Sequence, residues 1–80
     1  MVEVEPAPAN PVNHKKLPGS KWTAARPENK EKHFIVLDWE LDENGNPTGR
    51  VEIEAVLTGR VRRIRWRELH DAATWKVGWR

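Results

Sequence analysis

The chain has 80 residues, among them five Trp, one Phe and no Tyr or Cys, and its 14 Lys and Arg against 12 Asp and Glu leave a formal charge of +2. The lack of Cys excludes disulfides and thiolate metal sites, and a chain this short hides only about 60% of its unfolded surface, so one small, marginal domain is expected. Apolar runs such as Ile35-Val36-Leu37 fall far short of a bilayer span, and the acidic start Met1-Val2-Glu3-Val4-Glu5 has no secretory apolar stretch, which points to a cytoplasmic protein with no membrane partner.

Residues 1–18 carry Pro6, Pro8, Pro11 and Pro18 and show neither strand nor helix periodicity. They read as a disordered, Pro-rich leader to a single β domain at 19–80, with Lys15, Lys16 and Leu17 placed to pack on it. Ser20 to Ala25 is a short strand stopped by Arg26-Pro27, and Pro27 to Lys32 is a polar loop or one helical turn. His33 to Leu41 is the strongest strand, with Ile35, Leu37, Trp39 and Leu41 alternating onto one apolar face. Asp42 to Gly49 is dense in turn residues and predicts a hairpin loop. Arg50 to Leu57 forms the third strand, Thr58-Gly59 a tight turn, and Arg60 to Trp66 the fourth strand. Arg67 to Ala73 predicts a short helix, and Thr74 to Arg80 a tail that folds back as a lid. The fold class is mainly β: a small antiparallel meander or partly open barrel of about four strands, with a short helical turn and a Trp-rich C-terminal tail.

Charge is unevenly spread. His33 to Glu54 holds six acidic residues and one Arg, whereas Arg60 to Arg80 holds seven basic residues and two acidic ones. Arg60, Arg62, Arg63, Arg65 and Arg67, interrupted by Trp66, have the composition of a nucleic-acid surface, since guanidinium binds phosphate and aromatic rings stack on bases. A strand register gives the run a second explanation. With Thr58-Gly59 as a two-residue turn, Glu54 faces Arg63, Glu52 faces Arg65, Ile53 faces Ile64 and Val51 faces Trp66, so one face is a charge ladder and the other an apolar strip. A three-residue loop, Leu57-Thr58-Gly59, would set Ile53 against Arg63 and Val51 against Arg65, a poorer pattern. The two-residue register leaves Arg60, Arg62 and Arg67, with Lys76 and Arg80, as a modest basic patch.

No catalytic pattern stands out. His33 and His70 each have a nearby carboxylate, in Glu31-Lys32-His33 and His70-Asp71, but the spacing matches no metal motif. Ser20 is the sole Ser and has no nucleophile elbow around it. No enzyme activity, metal or cofactor is therefore expected, and a small metal-dependent enzyme at His33 or His70 stands as the remote alternative. By phase, Trp39 and Trp66 belong to the core and Trp22 to the core or its rim. Trp75 and Trp79 flank Lys76-Val77-Gly78, where no periodicity fixes them, and are the candidates for partial exposure. Trp and Arg are common interface anchors. Trp75, Trp79, Arg60, Arg62, Arg67 and Lys76 are accordingly the candidate partner-binding residues. They would serve a non-catalytic interaction module for a protein or ribonucleoprotein, with direct binding of RNA or single-stranded DNA as the alternative.

Several short motifs occur in a telling order: Ser20-Lys21-Trp22-Thr23-Ala24, Pro27, Glu31-Lys32-His33-Phe34, Trp66-Arg67-Glu68-Leu69, Trp75 and Gly78-Trp79. Over roughly residues 13–80 the chain resembles a family of small tryptophan-rich bacterial proteins with no established activity. The resemblance implies a bacterial, free-standing single domain and no mechanism. Trp39 lies outside that pattern.

Overall fold

The computed structural model describes residues 10–80. The part of the expected leader at 1–9 lies outside the described residues. Five strands, β1 (Lys21–Glu28), β2 (Glu31–Leu41), β3 (Pro47–Ala55), β4 (Val61–Arg65) and β5 (Trp75–Val77), form one open antiparallel sheet in the order β4-β3-β2-β1-β5. The predicted meander is β1 to β4. The tail adds the fifth strand by pairing Trp75, Lys76 and Val77 with Ala24, Thr23 and Trp22. Three residues are too few to show a period, so this strand is invisible in the sequence. Among the described residues, no helix is long and apolar enough to cross a membrane.

One face of the sheet is the core. Trp22, Phe34, Val36, Val51, Ile53, Ala55 and Trp75 are buried there, roofed by Leu17 and by Leu69 of a short 3-10 helix, Trp66–His70. The β2 alternation differs from the simple reading. Phe34 and Val36, not Ile35 and Leu37, point inward, opposite Ala55 and Ile53. The register then shifts between Val36 and Asp38, and Trp39 pairs with Val51 on the core side. A bulge inserts one unpaired residue and reverses the phase. Here the extra residue is Leu37, which is exposed, as is Leu41. The apolar run Phe34-Ile35-Val36-Leu37 supports either phase, so the bulge leaves no mark in the hydrophobic pattern.

Two turns also depart from expectation. The Pro27–Lys32 segment is not a loop: β1 runs to Glu28, and Asn29 (φ 54°) and Lys30 (φ 62°) make a two-residue turn in left-handed conformation. Pro27 is tolerated because it lies past the end of β5 and within the register shift between Thr23 and Glu28, where its missing N–H interrupts no ladder. The β3–β4 connection takes four residues, not two or three. Ala55 N–H donates to Arg60 O at 2.9 Å, and Gly59 (φ 73°) closes the turn by donating to Ala55 O at 2.8 Å. Glu52 therefore faces Arg63, Ile53 faces Arg62, and Val51 faces Ile64. The slide is two residues, so every side chain keeps its predicted face but changes its partner. Its cause is a tertiary contact: Thr58 Oγ1 donates to Glu31 at 2.6 Å, and Arg60 Nη2 donates to the same carboxylate at 2.9 Å.

The described part of the leader is packed. Leu17 is 2% exposed, and Asn10 straps the N-terminal segment to the C-terminal elements. Asn10 Nδ2 donates to Leu69 O (2.8 Å) and Trp75 O (2.6 Å), and Asn10 N–H donates to His70 O (2.8 Å). Residues 10–17 thus include contacts that tie this segment to the β domain. Replacing Asn10 by Ala strands two carbonyls and is expected to lower stability by about 1–2 kcal/mol. Urea unfolding measures this; a loss within error of zero would mean that the strap contributes nothing.

Candidate functional site

The six residues singled out by sequence do not meet in one place. Trp75 is a core residue, 3% exposed, with its ring set edge-on to Phe34 at 5.0 Å between centroids. The expectation of partial exposure fails for it because β5 turns it inward beside Ala24. Arg60 is not an unpaired cation: it holds the buried Glu31. Arg67 lies over the Trp66 ring, 5.7 Å from its centroid, at the rim where Trp66 also meets His70 (5.4 Å), His14 (6.0 Å) and Trp39 (6.3 Å). Trp39 and Trp66 are accordingly half-buried neighbours of the core rather than members of it. Lys76 is exposed on β5 opposite Thr23.

Trp79 sits on the opposite, outer face. The chain crosses β1 after β5: Thr23 Oγ1 donates to Gly78 O (2.7 Å) and accepts from Arg80 N–H (2.9 Å). Trp79 Nε1 donates to Phe34 O at 2.9 Å, and Lys21 Nζ stands 4.6 Å from its ring centroid. The indole is therefore held in one orientation while 45% exposed. Ile35, Leu37 and Val61 share this face, the last two 42% and 44% exposed. Around them stand charges of both signs. Arg63 lies 3.8 Å from Glu52 and 3.9 Å from Glu40, and Glu54 separates Ile35 from Val61.

The second feature is a recess of about 340 Å³ on the core side, at the end of the sheet that the 3-10 helix leaves uncovered. Phe34 and Trp75 line it, with Arg26, Arg60 and Arg62 converging from β1 and from the β4 edge, and Glu28 and Glu31 present as well. Small side chains make the room: Ala24 and Ala73 line it, and Ala55 lies between Arg60 and Phe34 in the sheet. Arg62 stretches over this gap to bring its guanidinium 5.3 Å from the Phe34 centroid.

Sequence reasoning did not find Arg26, Glu31 or Thr58 as partners in one cluster. Glu31 lies in Lys30-Glu31-Lys32, which reads as a solvated charge run, and only the two hairpins coming side by side bury it. The histidines serve backbone contacts: His33 Nε2 lies 3.0 Å from Arg80 O, and His70 Nδ1 lies 3.1 Å from Asn10 O. Among the described residues, no three His, Cys, Asp or Glu are grouped to hold a metal ion.

The sequence model of the family described as Tryptophan-rich protein (DUF2389) matches residues 20–80. Comparison with curated proteins and with solved structures found no match. The chain belongs to this tryptophan-rich family.

Proposed function

We propose that this member of the tryptophan-rich family is a non-catalytic interaction module that docks a protein on the outer face of its sheet, with Trp79 as the anchor. The observation that carries this reading is the one-sided covering of the sheet. The core face is roofed, while the outer face presents Trp79, Leu37 and Val61 to solvent, with Trp79 already held by its Nε1 hydrogen bond. A pre-oriented aromatic side chain loses little entropy on binding, which is the property of an interface anchor. The mixed charge around it favours a protein over a polyanion. Arg60 and Arg63 are engaged by carboxylates, which takes two members of the basic run away from a phosphate track.

The test is quantitative capture from a native lysate treated with nuclease, comparing the wild-type chain with Trp79→Ala, Leu37→Ser and Arg62→Gln. The expected result is a protein retained after nuclease, weakened about tenfold or more by Trp79→Ala and Leu37→Ser, and unaffected by Arg62→Gln, which lies on the other face. Capture that disappears with nuclease would support direct nucleic-acid binding instead. Capture indifferent to Trp79 would remove the outer face as the docking site.

A further inference from the structure

The recess on the core side has the chemistry of an oxyanion site, and its donors outnumber its acceptors. Glu31 is committed to Arg60 and Thr58, so that pair adds little net charge. Arg26 and Arg62 remain. Among the described residues neither forms an ion pair, although Glu28 lines the same recess. The Arg62 guanidinium lies over the Phe34 ring. Contact with an aromatic face restrains a guanidinium but uses none of its N–H donors, which stay available for a bidentate partner.

A second observation gives the recess a reporter. Trp75 forms a wall of the recess, and its indole Nε1 is buried with no hydrogen-bond partner. Trp22 Nε1 and Trp79 Nε1, by contrast, have acceptors at 2.9 Å, in Ser20 Oγ and Phe34 O. A buried donor left without an acceptor costs about 1–3 kcal/mol, and its N–H signal is sensitive to any group that settles against this wall. Two guanidiniums reach the recess from opposite sides and supply donors from both. A planar carboxylate is satisfied by one guanidinium fork, whereas a phosphate has oxygens for both.

We propose that this recess binds the phosphate group of a small phosphate monoester, held between Arg26 and Arg62 beside the Trp75 wall. The volume suits a phosphate with a small organic group lying against Phe34. Glu28 sets an upper limit on affinity by repelling the anion. The site is on the other side of the sheet from Trp79 and is independent of the protein-docking reading.

Phosphate can reach the recess as a free metabolite or on a phosphorylated side chain. The test follows the five indole N–H signals by NMR while titrating inorganic phosphate, a small phosphate monoester, a short phosphoserine peptide and acetate at constant ionic strength. The expected result is a saturable shift of the Trp75 signal at millimolar affinity or better with the phosphates, with acetate weaker. Arg62→Gln and Arg26→Gln should each weaken binding about tenfold, and Glu28→Gln should tighten it a few-fold. All three residues are exposed, so these variants keep the fold. Tighter binding of the monoester than of the peptide assigns a metabolite, and the reverse assigns a phosphorylated chain. A Trp75 signal that does not move, or one that moves equally in Arg26→Gln and Arg62→Gln, overturns the proposal.

Discussion

Trp75→Ala is expected to remove about 3–5 kcal/mol of stability, the range for truncating a buried aromatic residue. A domain of this length has about 4–10 kcal/mol in total, so the variant should lie at or below the edge of cooperative folding. The size of the effect follows from what the ring joins. Trp75 is 3% exposed and stands edge-on to Phe34, and its carbonyl accepts from Asn10 Nδ2. It thus binds β5, β2 and the N-terminal strap at one point. It also borders the open recess, so water can enter the gap left by truncation. Trp79→Ala removes a ring that is 45% exposed and one hydrogen bond, and should cost about 1 kcal/mol. Urea unfolding of the two variants in parallel decides the matter. Equal losses would mean that Trp79 is as much a core residue as Trp75, and would undercut its role as a surface anchor.

How much of this was legible in the sequence depends on the range of the interaction. Hairpins whose turns carry their own chemistry could be read directly: Asp42 to Asn46 closes β2 onto β3 through Asp42 Oδ1, which accepts from Asn44 and Asn46 N–H at 2.9 Å. The faces of β3 and β4 were legible too, because period-2 alternation survives a slide of two residues. The register was not, since Glu31 draws Thr58 and Arg60 toward it from 27 and 29 positions away. Trp39 was placed on the correct face for the wrong reason. Its phase with Ile35 and Leu37 is broken by the bulge, and it reaches the core side only because the bulge restores it. Family membership was legible from short motifs, while the recess was not. Arg26, Arg62 and Trp75 come from three strands, and nothing in the local pattern of any one of them signals the other two.

The contact that sets the β3–β4 register should show a characteristic asymmetry. Glu31 is 5% exposed, whereas Arg60 is 57% exposed. Removing the arginine leaves a carboxylate in a mostly dry site with Thr58 as its remaining donor, while removing the carboxylate leaves an arginine that water can solvate. An uncompensated charge deep in a protein costs about 3–5 kcal/mol, but water entering on the side Arg60 vacates reduces this, so Arg60→Ala is expected to cost about 2 kcal/mol. Glu31→Gln keeps an acceptor for Thr58 and should cost about 1 kcal/mol. The double variant has no buried charge to leave unpaired and should resemble Glu31→Gln alone, not the sum of the two. A double-mutant cycle by urea unfolding reads the coupling directly. Additive losses would show that Arg60 and Glu31 act independently, and the long-range capture of the turn would then fail as the reason why this hairpin closes over four residues.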